Sequence, residues 1–187
     1  MEEELEFCLE VTRERMENAT RHLEGDLKKI RAGKADPHIL DGIFIDYYGA
    51  RTPLNQVSNI GTPDPRTIAV QPWEKHLIDA IEKAILAANI GLTPMNNGEI
   101  IRINIPILTE ERRKMLVKQV RQEGENSRIT VRNIRRESND DVKKMKKEGL
   151  SEDLAKNGET EIQKITDGFI EKIEKMLEKK EKDIMTI

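Results

Sequence analysis

Residues 109–149 read TEERRKMLVKQVRQEGENSRITVRNIRRESNDDVKKMKKEG, and this stretch decides the fold. Thr109 is a ready N-cap, and Glu110 and Glu111 fall in the first turn, where the helix dipole favours anions. Lys143, Lys144, Lys146 and Lys147 crowd the far end and Gly149 stops it, so the pattern predicts one unbroken helix roughly 60 Å long. At 100° per residue, Leu116, Val120, Gly124, Ser127, Val131, Ile134, Ser138, Val142 and Met145 gather on one narrow side, a seam of coiled-coil width that predicts partner helices.

A second set gathers roughly 120° away by the same rotation. Lys114, Lys118, Arg121, Arg128, Arg132, Arg135 and Arg136 form a basic stripe expected to look into solvent, with Glu125 the only acid among them. Between Arg112 and Arg136 there are nine Lys or Arg against two acids, although the whole chain has a formal net charge of −3. Total charge therefore hides a strongly positive face. Solvated helix faces usually mix signs at i,i+4 spacing, whereas this one repeats arginine, whose planar fork grips phosphate oxygens in pairs. The stripe predicts a site for a phosphate backbone.

Working outward, residues 3–31 carry Leu5, Leu9, Thr12, Met16, Ala19, Leu23, Leu27 and Ile30 in alternating steps of three and four, a second seam helix that ends before Gly33-Lys34-Ala35-Asp36-Pro37. Beyond Leu150-Ser151-Glu152-Asp153, Leu154, Ile162, Ile165, Phe169, Ile173, Met176 and Ile184 give a third seam. Three apolar seams in water imply three helices packed on one another. Gly158 and Gly168 within the third predict either a close approach or a bend.

Between the first and second helices the period drops towards two. Strands are expected at 39–48, 54–60, 66–71 and 99–105, with a helix over 74–89 that ends at Gly91-Leu92-Thr93-Pro94. The expected class is α+β: a three-helix bundle from residues 1–31 and 107–187, with a small β/α/β domain, residues 32–106, inserted into it. The chain crosses the boundary twice, at 31–37 and 105–109, and short crossings with Gly or Pro are where a hinge is expected.

Composition narrows the function. Of 187 residues, 36% are charged and only 3% aromatic, which suits long, water-washed helices rather than one round core, and no apolar run approaches the length of a membrane span. The acidic start MEEELEFCLE lacks the build of a signal or transit peptide, so a cytoplasmic location is expected. Cys8 cannot pair within the chain and reads as a small core residue. His22, His38 and His76 lack partners at metal-ligand spacing, so no metal is expected. There is no phosphate-cradling Gly-rich loop, no Gly-x-Ser-x-Gly and no HExxH, so the chain reads as a binding factor rather than an enzyme, with no cofactor. Trp73, Tyr47 and Tyr48 are too few for a base-stacking platform and are expected to pack the small domain. The alternative is a coiled-coil scaffold or chaperone-like protein that binds proteins through its seams and uses its charge only for solubility.

The runs DGIFIDYYGARTPLNQ (41–56), IEKAILAANIGLTP (81–94), IRINIPILTEERRK (101–114) and VRNIRRESND (131–140), in this order and separation, closely resemble the bacterial ribosome recycling factor family over essentially the whole chain. The resemblance implies a three-helix bundle bearing an inserted β/α/β domain, in an L shape, acting as a monomer. It further implies a job: with elongation factor G, and GTP hydrolysis by that partner, such factors split post-termination ribosomes into subunits. Family members lay the bundle on large-subunit ribosomal RNA, which carries over to Arg132, Arg135 and Arg136, and meet elongation factor G at the hinge and the inserted domain, which carries over to Arg31, Gly33, Lys34 and Pro106. The crossing reads Arg31-Ala32-Gly33-Lys34, where many members have a small hydroxyl residue second and Arg fourth. Lys34 keeps the charge without the fork, which removes a bidentate contact there.

Overall fold

A computed structural model describes residues 2–31 and 33–186, and Ala32 of the first crossing lies outside the described residues. The chain divides into two compact units, one from residues 1–32 and 109–186 and the other from 33–108.

The first unit is three helices: α1 (Glu2–Lys29), α3 (Glu110–Lys147) and α4 (Glu152–Met185), with α2 reserved for the second unit. Thr109 Oγ1 accepts from the Arg112 amide at 3.2 Å, and Ser151 Oγ accepts from the Leu154 amide at 3.3 Å, so both expected caps form. Replacing Thr109 by Ala should lower stability by about 1 kcal/mol, measurable in urea as a shifted midpoint with an unchanged slope. Gly149 has φ +114°, a conformation that costs glycine little, and the Leu150 amide returns to the Met145 carbonyl at 2.9 Å.

Eight of the nine expected seam positions of α3, from Leu116 to Val142, are buried, and Met145 is half-buried. The seam is narrow because several of its members are small. Gly124 lies against Leu177 of α4, and Gly158 of α4 lies against Leu5 of α1, so Gly158 serves close approach, while an added Cβ at Gly168 would meet nothing within 4 Å. Leu5, Val142, Leu150, Ala155 and Ile162 form the apolar cluster at one end. Thr12 and Ser138 share a buried 2.6 Å hydrogen bond across α1 and α3, so that polar pair satisfies itself inside the bundle.

In the second unit, β1 (Phe44–Tyr47) and β2 (Ala50–Pro53) make a hairpin. An antiparallel sheet follows in the order β3 (Ser58–Asp64), β4 (Thr67–Pro72), β6 (Ile101–Asn104), β5 (Pro94–Asn96). Helix α2 (Ile78–Ala87) buries Ile78, Ile81 and Ile85 in a core shared with Ile68, Val70, Ile101 and Ile103. Two expected strands begin too early. Pro37–Leu40 and Leu54–Gln56 are single 3-10 turns; at the first, the Asp36 carboxylate accepts from the His38 amide at 2.9 Å and Pro37 has no amide to lose. β2 and β5 were not expected, since ARTP and PMN carry no alternation to read.

Candidate nucleic-acid interface

The basic stripe lies on α3, but the structure divides it. Arg121 grips Glu181 of α4 with two nitrogens, Nε donating to Oε1 at 2.9 Å and Nη2 to Oε2 at 3.4 Å. Arg128 donates from Nε to Glu174 of α4 at 2.8 Å and from Nη1 to Glu125 at 2.8 Å, and its side chain is only 20% exposed. Arg132 reaches the other oxygen of Glu125 at 3.2 Å while staying 46% exposed. Arg128 therefore does not look freely into solvent as expected, whereas Arg121 stays 69% exposed while it reaches Glu181; both link α3 to α4. The Arg128 hydrogen bond, with Arg132 close by, holds the Glu125 carboxyl below its ordinary range, and Glu174 and Glu125 hold Arg128 firmly charged.

The physical reason is register. Arg121 and Arg128 are seven residues apart on α3, and Glu181 and Glu174 are seven apart on the antiparallel α4, so one packing arrangement satisfies both. A further step of seven leads to Arg135 and Asp167, but Asp167 accepts from Gln163 at 2.7 Å instead. Among the described residues, no ion pair within 4 Å forms at Lys114, Lys118, Arg135 or Arg136. Lys114, Lys118 and Arg136 are exposed and Arg135 is half-exposed. Within the stripe, the cationic groups open to an incoming anion are these four, with Arg132 held loosely beside them.

At the crossings, Arg31, Lys34 and Pro106 are exposed and Gly33 is buried. Gly33 has φ +74°, and a Cβ built there would sit 2.8 Å from Leu108 Cγ, so the two crossings pack closely where the second unit begins and ends. Gly33→Ala should cost about 1–2 kcal/mol for the left-handed backbone alone. Adding Leu108→Ala should recover only the steric part, as read from thermal melts of the single and double variants.

Cys8 is half-buried, and burial together with the nearby Asp141 charge pushes its thiol up, away from reactivity. Among the described residues no cluster of His, Cys, Asp or Glu could hold a metal ion, and no helix is long and apolar enough to cross a membrane.

The sequence pattern of the family described as ribosome recycling factor matches residues 23–185. This chain belongs to the ribosome recycling factor family. The ribosome-recycling factor of Flavobacterium johnsoniae is 53% identical over 187 residues, covering all of both chains, and that of Natranaerobius thermophilus is 52% identical over 172 residues, covering 91% of this chain and 94% of the other. Among solved structures, a ribosome recycling factor in solution matches with TM-score 0.76 at 35% identity, covering 98% of each chain. The T. thermophilus ribosome recycling factor, described together with the E. coli elongation factor G bound to the E. coli post-termination complex, matches with TM-score 0.62 at 49% identity over 97% of this chain and 98% of that one. The α+β class and the family resemblance seen in the sequence both hold.

Proposed function

We propose that this ribosome recycling factor binds post-termination ribosomes through the open cations of α3 and, with elongation factor G and GTP hydrolysis by that partner, separates the subunits for new initiation. The observation that carries the RNA-binding part is the set Lys114, Lys118, Arg135 and Arg136, which forms no ion pair with an acid among the described residues, with Arg132 at its edge. Phosphate contacts of this kind set position and affinity without reading sequence, which suits a factor that must find one place on a folded RNA. In this reading Arg121 and Arg128 stiffen the rod and do not touch RNA.

The chain acts as a binding factor in the cytoplasm and catalyses no reaction itself. Arg31, Gly33, Lys34 and Pro106 mark the two short crossings, and we assign them to a hinge where elongation factor G meets the chain. Family membership leaves a scaffold that binds proteins through its seams unfavoured, because those seams are already filled by one another.

The decisive experiment is subunit separation of post-termination ribosomes with and without elongation factor G and GTP. Separation that requires all three components supports the proposal; separation in their presence that is unchanged when this chain is omitted overturns it. Neutralising about five phosphates should make log affinity for large subunits fall with log salt with a slope of roughly −4, by analogy with the DNA rule. A flat dependence between low and physiological salt would remove the stripe from the binding site.

A further inference from the structure

The hairpin β1–β2 closes through Tyr48 and Gly49, with Tyr47 paired to Ala50 and φ of +49° and +82° at the two turn residues. Such two-residue turns with both φ positive favour Asn, Asp or Gly at the first place. A bulky residue there is strained. Tyr48 gains no core packing in return, since it is 79% exposed. Its ring instead stands edge-on to Tyr47, centroids 4.6 Å apart, and its hydroxyl donates to Glu74 Oε2 at 3.2 Å. Tyr47, half-buried against the core, donates to Glu74 Oε1 at 2.5 Å.

Glu74 is thus held from both sides by phenols and remains 36% exposed, with His76 Nε2 3.4 Å away. A carboxylate offers about four acceptor positions, so Oε1 keeps one free after Tyr47 is served, while Oε2, which accepts from Tyr48, also faces His76. Asp46, at the same turn, accepts from the Gly49 amide, and Lys75 lies 3.9 Å from Glu99. Backbone strain with no packing return, two fixed rings and a fixed, partly open carboxylate are the parts of a receptor for a cation: ring faces attract it, and the carboxylate fixes its direction.

We infer that Tyr47, Tyr48 and Glu74 form a docking point for an arginine side chain of a protein partner. Guanidinium fits better than ammonium, because it can lie on a ring and present two parallel N–H groups to one carboxylate. A nucleic acid fits poorly, since Glu74 and Asp46 repel phosphate. The site is remote in sequence from the basic stripe and does not rest on the ribosome reading.

The test uses the full chain and an acetylated, amidated Gly-Gly-Arg-Gly-Gly peptide, followed by NMR of the tyrosine ring protons. The expected result is saturable shifts at Tyr47 and Tyr48, at least fivefold weaker affinity when citrulline replaces arginine, and a similar loss in Glu74→Gln. Tyr48→Asn is the telling variant: it suits the turn, so its melting temperature should hold or rise while binding disappears. A merely structural tyrosine would do the reverse. Equal shifts with citrulline, shifts that survive Tyr48→Asn, no ring shifts at all, or the same ring shifts produced by oligouridylate would each overturn the inference.

Discussion

Replacing Arg132 and Arg135 together by alanine should weaken binding to large ribosomal subunits by roughly 100-fold, with helix content by circular dichroism unchanged. Hydrogen-bonded contacts to charged groups are worth about 1.5–3 kcal/mol each, so losing two at the low end already reaches that factor. The fold should not suffer, because among the described residues Arg135 makes no ion pair within 4 Å and Arg132 bonds only to Glu125, which Arg128 also holds. The matched control is Arg121→Ala with Arg128→Ala. If the division of the stripe is right, that pair loosens the bundle by removing the α3–α4 clamps and weakens binding far less than the first pair at temperatures where it remains folded. A control pair that lost binding as severely, with its helices intact, would return Arg121 and Arg128 to the RNA face. A first pair that lost nothing would end the account of the stripe. A filter-binding assay at fixed salt separates these outcomes, and subunit separation should follow the same order.

The same arginines show what can be read from one dimension. The seam of α3 was legible because burial in a bundle follows the helical period directly: Leu116, Val120, Val131, Ile134 and Val142 recur at three and four, and the small Gly124, Ser127 and Ser138 keep the phase where the partner comes close. The ends were legible because Thr109, Ser151 and Gly149 act through bonds within a few residues. Rotating α3 alone, however, shows only its own acids. Arg121 and Arg128 find partners 60 and 46 residues away, on a helix whose rotation about its axis depends on the whole packing. The signal that was available is the shared spacing of seven between Arg121 and Arg128 and between Glu174 and Glu181, which an antiparallel pairing of the two helices would have exposed. In the small unit, Ile39, Leu40 and Leu54 are apolar and at least half-buried, yet they sit in or beside 3-10 turns, because burial needs an inward side chain and not an extended backbone. Ala50–Pro53 is the converse case: it is a strand by pairing with β1 alone, and a strand with little buried surface leaves no pattern.

Gly124→Val should destabilise the bundle by about 3 kcal/mol, near the upper end of what overpacking costs. A Cβ at Gly124 would lie 2.3 Å from Leu177 Cδ1, 2.8 Å from Cδ2 and 3.1 Å from Cγ, so all three outer carbons of one side chain obstruct it. Rotating Leu177 moves its tips but not the branch carbon enough, and Leu177 is itself buried. A glycine in a helix interior is ordinarily worth replacing, since Ala gains about 1 kcal/mol in propensity. Here that gain works against the clash, which is why Gly124→Ala should fall well short of Val and serves as the intermediate point of the series. The cause is checked by coupling. Leu177→Ala alone should cost about 2–4 kcal/mol as a cavity opposite the glycine. Combined with Gly124→Val it should cost clearly less than the sum, because each change supplies what the other lacks. Additive losses in chemical denaturation would mean that Gly124 is required for something other than the approach of Leu177. In a rod this thin, a closer or wider α3–α4 spacing would also shift Arg121 and Arg128 from their acids, so the same cycle repeated at high salt should show the coupling unchanged if packing, and not the clamps, sets the distance.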